Sequence, residues 1–305
     1  MDELNDTHIT LRGYVEMEKY RYLYFTVMFL VYVSIVCSNA TIVYLIWTHK
    51  NLHEPMYIFI GALLFNCVIY SSTFYPKLLT DFLSDKQVIL YSGCVFQFFM
   101  FYSVGGSEFL LLAVMAFDRY VSICKPLRYP TIMRKTTVKC LLVFAWLFPP
   151  CQLAVQAVLC AKTKICNLNL EGIFCNAIYT VHCVRSRTAT IVGLAVLLDV
   201  AVLPMLFTVF TYAKIFVMAY QSNKTFQRKA AETCVPHLLV LISFSYLCVY
   251  DVIIARVESD LPKAARFVMT LQLFLYHPLL NPIIYGLKMK EISKHLKRLF
   301  CSNKL

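Results

Sequence analysis

Seven stretches of this chain are long and apolar enough to cross a lipid bilayer. They run over about 22–47, 56–80, 94–123, 138–160, 189–219, 234–256 and 266–287. A spanning helix needs roughly 20 mostly apolar residues. Lipid offers no partner to an unpaired peptide group, so all seven are expected to be helices. Composition agrees, with 59% hydrophobic and only 15% charged residues, where a soluble domain carries about 25% charged. Prolines at 76, 149, 150, 204, 236 and 278 fall inside or near the ends of these stretches; membrane helices tolerate them and often kink there. The expected fold is an all-α membrane protein, a single seven-helix bundle over residues 1–305 with no linker or repeat dividing it.

Lys and Arg in short loops set the orientation. The segment after the seventh stretch holds Lys288, Lys290, Lys294, Lys297, Arg298 and Lys304 against Glu291. Residues 124–139 hold Lys125, Arg128, Arg134, Lys135 and Lys139 and no acid, and Lys214, Lys224, Arg228 and Lys229 follow in the next basic region. These regions are expected in the cytoplasm, with 288–305 forming a tail that contains a short amphipathic helix. The acidic tail 1–21 and the long loop 161–188 are expected outside. The net charge of +12 is thus a topology signal in contact with lipid headgroups, not a nucleic-acid surface. Residues 1–21 lack an apolar h-region, so the first stretch is expected to act as the insertion signal. Asn5-Asp6-Thr7 is the glycosylation acceptor that this topology leaves reachable.

Asp118-Arg119-Tyr120 lies where the third stretch meets a basic loop. Charged side chains at such a depth are costly and usually functional. Cys37, Cys67, Cys140, Cys151, Cys234 and Cys248 fall within spans, where small buried thiols are expected. Cys94, Cys166, Cys175 and Cys183 fall on the outer side, where oxidation is allowed and three pairings are open. Cys301 follows the basic stretch as a palmitoylation candidate. Cys234 and His237 stand three apart on a helix, but two ligands do not make a zinc site, so no metal site is expected.

Motifs narrow the class. Asp118-Arg119-Tyr120 with Asn281-Pro282-Ile283-Ile284-Tyr285 in the seventh span and Asn39 in the first resembles a rhodopsin-like G-protein-coupled receptor. Leu52-His53-Glu54-Pro55-Met56-Tyr57, Met115 through Tyr129, Lys229 through Leu238 and Pro278-Leu279-Leu280-Asn281-Pro282 resemble, in order, four patterns of the odorant receptor family. The resemblance implies a plasma-membrane odorant receptor that takes a small odorant in the outer half of the bundle and activates a stimulatory, olfactory-type heterotrimeric G protein, raising cyclic AMP. It implies the pairs Cys94–Cys175 and Cys166–Cys183. It gives Asp118, Arg119, Tyr120, Tyr212, His237, Asn281, Pro282 and Tyr285 to the activation switch and G-protein contact. Departures mark a divergent, fish-like member. Asn66-Cys67 stands where the family often has an aspartate, and Phe244-Ser245-Tyr246 where it usually has Phe-Tyr. Glu108 is then the main acid of the bundle core; no cofactor is expected, and a sodium ion of the kind the resemblance implies would have to lie beside Glu108 without that aspartate.

The ligand is expected to lie among Phe101, Tyr102 and Gly105 of the third helix, Val196 and Asp199 of the fifth, and Tyr250, Asp251 and Ile254 of the sixth. Gly105-Gly106 gives room either to a ligand or to a close helix contact. Arg256 is positioned to take a carboxylate or amino-acid ligand bidentately, unless Glu258 or Asp260 balances it. Rival readings are weaker. A bioamine receptor would have an acid where Phe101 stands, and an opsin would have a lysine within 267–287. A transporter would show repeated halves. A non-olfactory receptor for a small metabolite is the closest alternative. No nucleophile–base set points to an enzyme.

Overall fold

The computed structural model describes residues 7–176, 181–183, 186–256 and 262–301, without the side chains of 229, 230, 233, 252–256, 300 and 301. Asn5 and the side chains of Ile254, Arg256 and Cys301 lie outside the described residues. Strand β1 (His8–Leu11) leads into α1 (Met17–Thr48) and α2 (Pro55–Leu83). Strand β2 (Val88–Leu90) precedes α3 (Tyr91–Cys124), and a short α4 (Tyr129–Ile132) precedes α5 (Lys135–Ala161). After β3 (Asn169–Leu170) come α6 (Arg187–Leu197) and α7 (Leu203–Tyr220), then α8 (Lys224–Arg256), α9 (Lys263–Lys288) and α10 (Lys290–Cys301). Seven spans are long and apolar enough to cross a membrane, with α6 and α7 making up the fifth. The protein is a seven-transmembrane helix bundle.

Helix α3 is the axis. Of its most apolar window 78% is buried within the protein, against 22% for α5, and it packs on α2, α5, α7 and α8. The α5 surface left over is apolar because lipid, not water, is its solvent: Val143, Phe144, Leu147 and Val155 all face outward. The same holds for Cys37, Cys140 and Cys151, which are exposed on the bundle surface. Only Cys67 and Cys234 of the six expected buried thiols are fully enclosed, with Cys248 between the two states. Apolar sequence places a residue in a span, but in lipid it does not say which side of the helix it occupies.

Prolines shape two spans. Pro204 has no N–H to return to the Val200 carbonyl, and Leu198–Val202 winds as a π-helix just before it, so the fifth span is interrupted rather than one regular helix. In α9, Pro278 and Pro282 leave the carbonyls of Phe274 and Pro278 without helical donors. Side chains from neighbours fill both places. Tyr75 of α2 donates its hydroxyl to the Phe274 oxygen at 3.4 Å, and Asn39 of α1 donates Nδ2 to the Pro278 oxygen at 3.0 Å. Asn39 thus satisfies a buried acceptor and fixes α1 against α9.

One end of the bundle carries a lid that helical periodicity did not foretell. β1 lies between β2, antiparallel to it, and β3, parallel to it. Ile9 and Leu11 point into the core while His8 and Thr10 are less buried, the alternation of a half-buried strand. Two disulfides hold the lid, Cys94–Cys175 with sulfurs 2.07 Å apart and Cys166–Cys183 at 1.95 Å. Gly13 passes so close to Gly172 that a Cβ would come within 2.5 Å of its carbonyl carbon. Tyr14 donates to Asp81 at 2.9 Å, which Lys77 also contacts. Burial and the Asp81 carboxylate hold the Tyr14 phenol well above its usual range.

At the opposite end α8 extends ten residues before its apolar part, capped by Asn223, whose side chain accepts the Phe226 N–H at 2.9 Å. Amphipathic α10 leaves α9 at Met289 and buries Ile292 and His295; Asn51 meets the His295 ring at 3.0 Å.

Candidate functional site: a cavity beneath the lid and a polar core below it

A cavity of about 300 Å³ opens between α3, α5, α6, α7 and α8 under the lid, at the low end of small-molecule sites. Tyr70, Phe98, Phe101, Phe109, Leu153, Val196, Val200, Met205, Phe244 and Leu273 supply its apolar wall. The Cys94–Cys175 bridge sets Asn176 over the opening, and Gln97 accepts the Cys175 N–H at 3.0 Å. Asn176 donates Nδ2 to Asp251 of α8 at 2.7 Å, and Tyr102 of α3 donates its hydroxyl to the same carboxylate at 3.0 Å. One polar node therefore joins lid, α3 and α8 at the cavity rim.

Of the ligand residues expected from sequence, Phe101, Tyr102, Gly105, Val196 and Asp251 line this cavity. Two do not. Asp199 sits in the π-helical turn and accepts from Gln152 of α5 at 3.2 Å. Tyr250 is absent from the lining; the helical step carries its neighbour Asp251 inward instead. The adjacent glycines divide their roles. Gly105 has only the Phe244 ring within reach, at 4.0 Å, whereas a Cβ on Gly106 would meet Pro149 at 3.0 Å and Val200 at 3.3 Å. Gly106 is the packing glycine, and Gly105 leaves space. Sequence reasoning missed Tyr70, Gln156, Asn176, Cys248 and Leu273, which also line the cavity. Asn176 had one usable signal, its place directly after a bridged cysteine.

Below the cavity lies a buried polar core. Glu108 of α3 accepts Asn66 Nδ2 at 2.7 Å and meets His277 Nε2 at 2.8 Å. Asn281 Nδ2 lies 3.1 Å from Cys67 Sγ and 3.3 Å from Glu108 Oε1. Glu108 shares the interior with three other buried acids, Asp81, Asp118 and Asp251. The groups around Glu108 do not fit the sodium ion expected there. Hard cations take oxygen ligands, and an imidazole and a thiol stand beside this carboxylate whichever way the neighbouring amides are turned.

The far end holds the second cluster. Arg119 donates Nε and Nη2 to Asp118 at 3.1 and 2.5 Å, and Tyr129 donates to the other carboxylate oxygen at 2.8 Å. Burial and the Asp118 charge raise the Tyr129 phenol above its usual range. Tyr285 meets His237 Nδ1 at 3.3 Å, which ties α9 to α8. Tyr212 is buried with no partner for its hydroxyl among the described residues. Tyr120 packs beside Tyr212 and Cys234. Glu232 pairs with Arg228 at 3.0 Å and Lys290 at 3.2 Å, and these cations lower its carboxyl below the usual range.

A seven-helix membrane bundle with an apolar cavity at one end and Asp-Arg-Tyr beside Asn-Pro-x-x-Tyr at the other defines a rhodopsin-like G-protein-coupled receptor. The family model described as "Olfactory receptor" matches residues 28–303, and the chain belongs to the olfactory receptor family. It is 32% identical to human olfactory receptor 11A1 over 300 residues, covering 97% of this chain and 94% of that one. It is 31% identical to human olfactory receptor 13C2 over 297 residues, with 95% and 93% covered. Mouse olfactory receptor 6B9 is 30% identical over 302 residues, with 96% and 94% covered. Members of this family are receptors, not enzymes.

Proposed function

We propose that the protein is a plasma-membrane odorant receptor whose ligand occupies the cavity beneath the lid and whose Asp118 end activates a stimulatory, olfactory-type G protein, raising cyclic AMP. The N-terminus is then extracellular and the C-terminus cytoplasmic, with residues 1–21 and 161–188 outside and 288–305 inside. The observation that carries the reading is the node of Tyr102, Asn176 and Asp251 at the cavity rim. A ligand that competes for Asp251 changes how lid and α3 hold α8, and α8 reaches the other end through His237 and Tyr285. A ligand shifts a two-state element only by binding its states unequally. A contact to Asp251 present in one arrangement supplies that difference. Arg119, Tyr120, Tyr212, Asn281 and Pro282 belong to the responding machinery, and release of Arg119 from Asp118 exposes it to the G protein.

Asp251 favours ligands that donate hydrogen bonds or carry a positive charge, amines before alcohols. The carboxylate and amino-acid reading rests on Arg256. A cyclic AMP assay in transfected cells with matched amines, alcohols and carboxylates separates the two. Asp251→Asn should lower amine potency at least about tenfold, the worth of one charge-assisted hydrogen bond of roughly 1.5–3 kcal/mol. Arg256→Ala should leave it unchanged. A carboxylate response lost in Arg256→Ala and kept in Asp251→Asn reverses the assignment. No cyclic AMP response to any member of the panel, from receptor present at the cell surface, counts against the coupling.

A further inference from the structure

Cys67 of α2, Glu108 of α3 and His277 of α9 bring a thiol, a carboxylate and an imidazole within 4.8 Å of one another. All three side chains are at most 2% exposed. His277 Nε2 is 2.8 Å from Glu108 Oε1 and 3.9 Å from Cys67 Sγ. The amide end of Asn281 sits over the three, with Nδ2 at 3.1 Å from the sulfur, 3.3 Å from the carboxylate and 3.3 Å from the imidazole nitrogen. Zinc bonds of about 2.0–2.3 Å in a tetrahedron place neighbouring ligand atoms roughly 3.3–3.7 Å apart. The separations about His277 and Asn281, 2.8–3.9 Å, bracket these edges, and thiol and carboxylate lie within 4.8 Å of each other. Turning the Asn281 amide puts Oδ1, a buried oxygen with no partner among the described residues, at the fourth corner.

We propose that Cys67, Glu108 and His277, completed by Asn281, form a Zn²⁺ site in the centre of the bundle. Sulfur and imidazole nitrogen select a borderline-soft d¹⁰ cation over sodium or magnesium. Thiolate and carboxylate supply two negative charges, so the loaded site is neutral, as burial inside a membrane protein demands. Loading releases the thiol proton and removes the hydrogen bond between His277 and Glu108. Phe244 and Tyr70 line the ligand cavity and also face the site, with rings 4.3 and 6.3 Å from the His277 ring. Zinc here joins α2, α3 and α9 directly beneath the ligand.

The test uses full-length receptor purified in lipid nanodiscs and stripped with chelator, and it requires no odorant, so it stands or falls apart from the ligand reading. At about a hundredfold excess over its Kd, Zn²⁺ should raise the unfolding temperature by about 5 °C, while Na⁺ and Mg²⁺ do not. Co²⁺ in place of zinc should give a thiolate-to-metal charge-transfer band. Both signals should vanish in Cys67→Ser and in His277→Gln. Zinc should also slow alkylation of Cys67 in the unmutated chain, read by peptide mass spectrometry, which keeps the test decisive if a variant fails to fold. No zinc effect on the unmutated receptor, or an equal shift in it and in both folded variants, overturns the site.

Discussion

Asn39 shows how much one side chain settles. Its Nδ2 also donates to the Ile35 oxygen at 2.8 Å, so the amide serves its own helix and α9 together. Replacing it with Ala leaves the Pro278 carbonyl buried and unpaired, which costs about 1–3 kcal/mol. Asn39→Ala should therefore lower the unfolding temperature of the purified receptor, while Ser38→Ala, which removes only a partly buried bond within α1, should change it little. The motif picked out Asn39 among Ser34, Ser38 and Thr41 of the same span because an amide is costlier to bury than a hydroxyl that can bond back to its own helix. It could not say why that polar residue is there, since the reason lies in two prolines some 240 positions away. Cys67 is the opposite case. A cysteine in a span reads as one small apolar residue among several, and only the crossing of α2, α3 and α9 puts it beside Glu108 and His277.

At the scale of elements, the spans were legible and the lid was not. Twenty apolar residues in succession have one explanation, and the helices differ from the sequence reading mainly at their ends. The four residues of β1 alternate, but so short an alternation arises often by chance. Its partners come from two distant loops. Gly13→Ala should open this sheet, because the added carbon meets backbone that cannot move aside. Faster hydrogen exchange at Leu11, Arg12 and Gly13, whose amides donate to Gln87, Leu170 and Gly172, would report it. The lid should also weaken in acid. His182 meets the Tyr91 hydroxyl at 3.1 Å, and burial lowers its pKa below 6.5. Above pH 6.5 folded and unfolded chains both hold it neutral, and its contribution is complete. As the pH falls below 6.5 the unfolded chain takes a proton that the folded chain resists, so stability is lost. Hydrogen-exchange protection over residues 165–176, corrected for the intrinsic rate, should fall between pH 7 and 5, and His182→Gln should flatten that fall.

The whole molecule is a stack of three polar layers in an apolar bundle: the node at Asp251, the core at Glu108 and the cluster at Asp118. Each layer ties α3 to a partner, and α3 is the most enclosed helix. The cavity could not be drawn from sequence because its walls depend on helix rotation. One step along α8 separates Asp251, on the lining, from Tyr250, off it. The upper layer hangs on one covalent bond. Cys94→Ser frees the segment that carries Asn176 and should abolish the odorant response even where the receptor reaches the surface, as read by surface labelling beside cyclic AMP. Loss of the Cys166–Cys183 bridge, which closes a loop of 17 positions away from the node, should cost stability more than response.

The placement of β1 also imposes an order on biosynthesis. Thr10 and Leu11 pair with Asn169 and Leu170, so β1 cannot reach its final place until four spans have followed it. β1 can first meet β2 once two spans are threaded, and the sheet closes only when β3 follows the fourth. The cover over the cavity is then built in two stages, and its parallel pair joins parts of the chain that four membrane crossings hold apart.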